Sequence, residues 1–400
     1  EITERDWSSD VCSSDLSVGH VQGHDHRRWQ LGNPAQCHRQ ERAGLAAGGG
    51  YVSVPLVLNE EQRLLRDTAR DFLNSNAPVT ALRKLRDERD PLGYDSQLWQ
   101  QMAELGWAGI TLPEEYGGLA FGFTGLGVVM EECGRTLAAS PLFASVVVGA
   151  SALLLGGSDD QKHELLPSIA SGELTLALAL EESHHHRPTH IATSAARAGE
   201  GFVLNGSKTF VLDGHSADKL IVVARTSGDE HSGDGISLFL LDRDAAGVHC
   251  TRTIMADSRN AANIRLDNVS VGSDGLIGTL DRGWEILEPV LDRGRVALAA
   301  EMMGCALEAF ERTVAYLKER QQFGVPIGSF QALQHRAARM QADLELCRSV
   351  ILQALGAVDE TPEQLPILAS LAKAKLNELV KLVTNEAVQM HGGIGVTDEL

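Results

Sequence analysis

The sequence has no Cys-x-x-Cys pair. Its six cysteines (Cys12, Cys37, Cys133, Cys250, Cys305 and Cys347) are scattered over 400 residues, so neither a disulfide framework nor a zinc site is signalled, and a reducing cytoplasm is the expected location. Basic clusters are missing too. Lys and Arg number 35 against 54 Asp and Glu, a net charge of -19, which disfavours a nucleic-acid partner because phosphate binding needs grouped cations. Nor is any run apolar enough to span a bilayer. The strongest, Pro141 to Gly157 (PLFASVVVGASALLLGG), is short and rich in Ala, Gly and Ser, and reads as a buried helix.

Residues 1–51 lack a sustained apolar period and concentrate His, Arg and Gly, so no core is expected there. The stretch Asp6 to Leu16 (DWSSDVCSSDL) back-translates into a common sequencing adapter. The segment therefore reads as a disordered or non-native extension, and it has no apolar h-region of a signal peptide.

What is present is organised in three parts. Residues 52–172 read as a helical unit, opened by Asn59 with Gln62 as a capping box, with further helices at about 96–105, 123–137, 141–155 (Ser140 as cap) and 159–170 (Ser158 with Gln161). From 173 to 282 the apolar period changes from 3.6 to 2. Short β-prone runs are punctuated by Asn205-Gly206, Asp213-Gly214 and Gly233-Asp234-Gly235, the pattern of a small antiparallel barrel or sandwich. Residues 283–400 return to helix in three long segments, about 284–320, 330–357 and 362–390, which suits an antiparallel bundle. The fold class is α+β.

Between the first two bundle helices the chain reads Arg320-Gln321-Gln322-Phe323-Gly324-Val325-Pro326-Ile327, followed by Phe330-Gln331. A second motif is Gln389-Met390-His391-Gly392-Gly393-Ile394-Gly395, and a third is Asn205-Gly206-Ser207-Lys208. In this order, on helix-helix turn, helix end and β-unit, they resemble the acyl-CoA dehydrogenase family over residues 55–400. The resemblance implies an N-terminal all-α domain, a middle antiparallel β-barrel and a C-terminal domain of the four-helix-bundle type, expected to be incomplete here. It also implies FAD as cofactor, an acyl-CoA substrate, an acceptor such as an electron-transfer flavoprotein, and a homo- or hetero-oligomer, dimer or tetramer.

By that resemblance Arg320, Gln322, Phe323, Gln331, Gln389, Gly392 and Gly393 meet the FAD of a neighbouring protomer. The physics agrees for Arg320, since a guanidinium makes paired charge-assisted bonds to a diphosphate. Taken alone, the stretch also reads as a structural turn with Phe323 plugging the bundle. Leu178, Phe210 and Leu212 would face the flavin ring. The chain departs from the family there, with Leu-Glu181-Glu182-Ser and Phe210-Val211-Leu212 where hydroxyl and aromatic residues are expected, so only backbone N–H groups remain as donors to the ring. The run His184, His185, His186 with His190 does not read as a metal site, because consecutive loop histidines cannot all face one ion.

The implied reaction, α,β-dehydrogenation of a thioester, needs a carboxylate base in an apolar pocket. The family carries it either beyond the Gly392–Gly395 turn or within an L-D-x-E-R-like motif. Here that motif reads Leu291-Asp292-Arg293-Gly294-Arg295, with Gly294 where the Glu would stand. Asp292 is the candidate base and Arg295 a candidate substrate contact; their other reading is a helix-surface ion pair. Two alternatives follow: a non-catalytic or half-site partner subunit of a heteromeric enzyme, and a flavin oxidase or monooxygenase on the same fold.

Overall fold

The computed structural model describes residues 56–397, so the expectation for residues 1–51 lies outside the described residues. Helix α1 (Glu60–Asn76) opens on the expected capping box: the Gln62 amide donates to Asn59 Oδ1 at 2.8 Å, and the Asn59 amide donates to Gln62 Oε1 at 3.0 Å. Helix α2 (Val79–Glu88) was not legible in the sequence, for it follows Pro78 with no capping side chain and none of its residues is fully buried. Helices α3 (Ser96–Glu104) and α4 (Gly122–Thr136) stand where the periodicity puts them.

The single helix expected over 141–155 is instead a π-helix, Leu142–Ala150, running into α5 (Ser151–Gly156). Ser140 does not cap it; its hydroxyl lies 3.5 Å from the Leu142 amide, at the limit of a hydrogen bond. The cause of the wider winding is the neighbouring strand, to which Ser145 Oγ is tied both ways, accepting from the Leu176 amide at 2.9 Å and meeting the Leu176 carbonyl at 3.3 Å. Such wide turns recur at functional sites. Helix α6 (Asp159–Ala170) closes the unit on the expected Ser158–Gln161 box.

The middle segment forms β1 (Leu176–Ala179), β2 (Ser194–Ala198), β3 (Gly201–Leu212), β4 (Lys219–Arg225), β5 (Ile236–Asp242), β6 (Val248–Ile254), β7 (Asn260–Val271) and β8 (Leu276–Ile277). The order is β6-β7-β3-β2-β4-β5-β8, with β1 pairing β4. This corrects the expectation of an antiparallel barrel in two respects. Strands β6 and β8 do not pair with each other, so the sheet is open, and β1 and β2 both run parallel to β4. Strand β4 is apolar on both faces: Leu220, Val222 and Ala224 pack with Phe202 and Phe239 inside the sheet's own core, while Ile221 and Val223 join the core shared with the helices.

Asn205-Gly206 is not the hairpin turn expected. It lies inside continuous β3, where the pairing with β7 slips between Leu204 and Gly206 and the Asn205 side chain accepts from the Asn268 amide at 2.8 Å.

The C-terminal segment supplies three long helices, α7 (Trp284–Glu319), α8 (Gln331–Glu360) and α9 (Leu365–His391). The fourth partner in the bundle is α4, from the N-terminal helices. Two glycines permit that crossing: a Cβ on Gly134 would stand 1.9 Å from the Glu301 carbonyl oxygen, and one on Gly304 would stand 1.8 Å from that of Glu131. Ser329 does not cap α8; its hydroxyl donates to the Pro326 carbonyl at 2.7 Å, and Phe330 occupies the cap position. Among the described residues no helix is long and apolar enough to cross a membrane.

Candidate functional site

A cleft of about 440 Å³ opens where the sheet, the π-helix and the start of α7 meet. Helical spacing on α7 turns Val290, Leu291, Gly294, Arg295 and Leu298 toward it; β1 and β3 contribute Leu178, Phe210 and Leu212, the π-helix Phe143 and Val148, and α9 Lys373. The cleft thus gathers four residues singled out from the sequence: Leu178, Phe210, Leu212 and Arg295. Phe210 reaches it through a second slip of β3. Between Lys208 and Val211 the strand carries one residue more than β7, and Phe210 sits at φ 50°, with nearly half its surface open.

The polar groups on this apolar wall are Glu181, His186, Arg295 and Lys373. Glu181 pairs with His186 Nδ1 at 2.5 Å and accepts from the Arg187 amide at 3.2 Å. Burial pushes the Lys373 ammonium down from its ordinary range. Asp292 is buried, and its Oδ1 accepts from Arg295 Nη1. It is not among the residues that line the cleft, and the bond from Arg295 occupies its carboxylate. Gly294 is buried, and an added Cβ would meet Phe143 Cζ at 3.6 Å, Val148 Cγ2 at 3.9 Å and Phe143 Cε2 at 4.0 Å, ordinary contacts.

The loop from 181 to 193 that edges the cleft is anchored by Glu182. This carboxylate accepts from the Ala192 amide at 2.7 Å, the Thr193 amide at 3.0 Å and Lys208 Nζ at 2.6 Å, and Lys208 also donates to the Leu180 carbonyl at 3.0 Å. Burial pushes the Lys208 ammonium down to about 8 against the pull of Glu182. Burial raises the Glu182 carboxyl, but Lys208 and the amide donors hold it below its usual range. Replacing Lys208 by Met strands a buried carboxylate and is expected to lower stability by about 3 to 5 kcal/mol, read by chemical denaturation. An unchanged midpoint would mean that the pair does not anchor the loop.

At the far end of α7 the interruption is a β-hairpin. Gln321–Gln322 (β9) pairs with Val325–Pro326 (β10), and the two-residue turn Phe323-Gly324 has φ of 57° and 79°, the signature of a type I′ turn. A bulky residue at positive φ is costly. Phe323 is 91% exposed, so it does not plug the bundle. Arg320, Gln322 and Gln331 are exposed beside it.

The Gly392 turn lies at the same end, because Tyr316 near the end of α7 stacks at 4.4 Å on His391, which closes α9. Gln389 is exposed there. Gly392 has φ 63°, and a Cβ on Gly392 or Gly393 would meet nothing within 4 Å. Packing within the chain therefore does not require Gly393 to be glycine.

The residues fit a flavin dinucleotide, but not within one copy. The cleft offers an apolar slot for a ring, and the hairpin offers a guanidinium and amides for a diphosphate and ribose. Arg295 and Arg320 are separated by 25 helical residues, about 37 Å along α7, more than the cofactor spans. One such cofactor could not reach both places within a single chain.

Sequence reasoning missed Phe143, Val148, His186 and Lys373. Nothing in a lone Lys on α9 or in an apolar helix marks a cleft wall. Of the histidine run, His184 and His185 are exposed and His186 turns to Glu181, while His190 turns away to His231 and Glu230.

Three family models match the chain: acyl-CoA dehydrogenase N-terminal domain over residues 59–173, middle domain over 177–269 and C-terminal domain over 281–400. A probable acyl-CoA dehydrogenase, YngJ of Bacillus subtilis, is 32% identical over 86% of this chain and 90% of its own. Among solved structures, a Tcur3481-Tcur3483 steroid ACAD variant is 33% identical with a TM-score of 0.76, covering 85% of this chain and 89% of its own. A structure described as the electron transferring flavoprotein of Acidaminococcus fermentans is 29% identical with a TM-score of 0.79, covering 86% and 90%.

Proposed function

The chain belongs to the acyl-CoA dehydrogenase family of oxidoreductases, and from that premise we propose that it takes part in FAD-dependent α,β-dehydrogenation of an acyl-CoA thioester. The observation that carries the proposal is the meeting of Leu178, Phe210, Leu212 and Arg295 in one apolar cleft. Bound there, FAD would supply the acceptor for the hydride that leaves the β carbon. The walls from β1, β3 and α7 hold an acyl chain flat in a slot and exclude water, which strengthens every electrostatic contact inside. Phe210 to Leu212 have no side-chain hydroxyl to offer, so orientation of the ring falls to backbone groups freed by the slip of β3. Arg295, held by Asp292, places a fixed positive charge at the cleft edge.

Proton abstraction needs a carboxylate at the α carbon. With Asp292 bonded to Arg295 and the Glu181 carboxylate on the wall held by His186 and the Arg187 amide, that base is assigned to a group reaching the wall at Gly294, such as one from a paired subunit. Such a supply matches the alternative reading, a half-site subunit, which Gly294 favours. A dimer or tetramer built on the hairpin end suits both readings. So does an electron-transfer flavoprotein as acceptor. The four described cysteines are free thiols, in keeping with a reducing, cytoplasmic setting.

Purified protein is expected to be yellow and to bleach when acyl-CoA is added without oxygen, slowly for this chain alone and faster beside a base-bearing partner. Protein that binds no FAD in any assembly would reject the proposal. Rapid oxygen uptake by the reduced form would move the assignment to an oxidase.

A further inference from the structure

Outside the cleft, one cluster joins two loops that the sequence keeps 40 residues apart. His190, Glu230 and His231 each place one ligand atom within 4.8 Å of the others. Nε2 of His190 stands 3.7 Å from Glu230 Oε1, and Nε2 of His231 stands 3.4 Å from the same oxygen. With metal–ligand bonds of about 2.1 Å, the ligands of a tetrahedral ion are separated by about 3.4 Å. The two imidazoles face each other with centroids 4.6 Å apart and planes 17° from parallel. Coordination requires one ring to rotate out of the stack until both ring planes pass through the ion, and both rings have open surface in which to turn.

The framework behind the cluster is rigid. Arg225 at the end of β4 donates to the carbonyls of Thr189 and Ile191 in one loop and of Glu230, Ser232 and Asp234 in the other, at 2.7 to 3.2 Å. The Ile191 amide donates to the Glu230 carbonyl at 2.9 Å, and the His231 amide donates to Asp229 Oδ1 at 2.9 Å. The histidine run alone lacks a carboxylate on a fixed element; the fold supplies one from the turn between β4 and β5.

We propose that His190, Glu230 and His231 form a binding site for a divalent cation of the zinc class. Two imidazoles and a carboxylate suit Zn²⁺ and exclude Mg²⁺ and Ca²⁺, which prefer oxygen ligands alone, and water completes the fourth position. The bound ion staples the 181–193 loop to the β4–β5 turn. Because the same loop carries Glu181 and His186 on the cleft wall, the ion fixes one edge of the cleft without touching its contents.

The test is calorimetric titration of the full-length protein with ZnCl₂ in a non-chelating buffer, comparing wild type with His190→Ala, Glu230→Gln and His231→Ala. Histidines of residues 1–51 contribute the same background to every variant. Wild type is expected to take up one more equivalent than His190→Ala or His231→Ala, with Glu230→Gln binding that equivalent at least tenfold more weakly. His184→Ala and His185→Ala should retain it. The affected side chains are partly or largely exposed, so unchanged melting of the metal-free variants will show that the fold is intact. Equal uptake by wild type and His231→Ala overturns the proposal, as does loss of the same equivalent in His184→Ala.

Discussion

Replacing Arg320 with Ala is expected to strip the protein of flavin. The side chain is exposed in the single chain, so its removal should leave melting nearly unchanged, as surface substitutions do. On the proposed assembly the same guanidinium would meet the diphosphate of a cofactor seated in the other copy's cleft. A charge-assisted bond of this kind contributes about 1.5 to 3 kcal/mol, and a paired guanidinium makes two. FAD affinity should therefore fall by roughly 100-fold or more, read as flavin absorbance per polypeptide after gel filtration. Phe323→Ala should weaken retention less, because it removes apolar cover and no charge. Retained flavin in Arg320→Ala would leave the hairpin without a function.

The second large effect is a gain. Gly294→Glu places a carboxylate at a buried position on the side of α7 that lines the cleft, where the nearest neighbours of a new Cβ are Phe143 and Val148 at ordinary contact distance. Glu is also a better helix former than Gly by roughly half a kcal/mol or more. Burial among apolar neighbours works to raise the new carboxyl, against the pull of Arg295 and Lys373 on the same wall. General-base assistance is worth about 10²- to 10⁴-fold, so anaerobic bleaching of the flavin by acyl-CoA should accelerate by that order. Its rate should rise with pH through the titration of the new Glu. Gly294→Gln has the same shape without the base and should gain nothing. Equal rates in the Glu and Gln variants would show that the base is already supplied elsewhere in the cleft.

The parts of this molecule legible in the sequence are those governed by local rules. Capping boxes at Asn59 and Ser158 fixed helix starts, and β4 and β5 fall on the very runs KLIVVAR and ISLFLLD. What escaped depends on distant partners. Asn205-Gly206 has the chemistry of a turn, but Asn268 on β7 absorbs it into a continuous strand. The stretch after Pro141 has helical periodicity, yet the tie between Ser145 and Leu176 widens its winding. The openness of the sheet follows from β6 and β8 not pairing with each other, a choice that no turn residue encodes.

The site divides in the same way. Arg320 and Gly392 announce themselves by interrupting or ending strong helices, whereas Lys373 and Phe143 enter the cleft only because α9 and the π-helix pack where they do. Asp292 shows the limit of motif reading: its spacing to Arg295 is one helical turn whether the pair faces substrate or only each other, and the structure adds that the carboxylate is buried and bonded to Arg295.

The account requires each cofactor site to be built from two copies, and mixed assemblies test this directly. One copy carries Arg320→Ala with an intact cleft; the other carries Leu178→Trp, which fills the cleft, with an intact hairpin. Each alone should be colourless after gel filtration, while the co-expressed and separately tagged pair should hold flavin in one site of the two, where the intact cleft meets the intact hairpin. A mixed pair as colourless as its parents, or an Arg320→Ala parent that is already yellow, would contradict it.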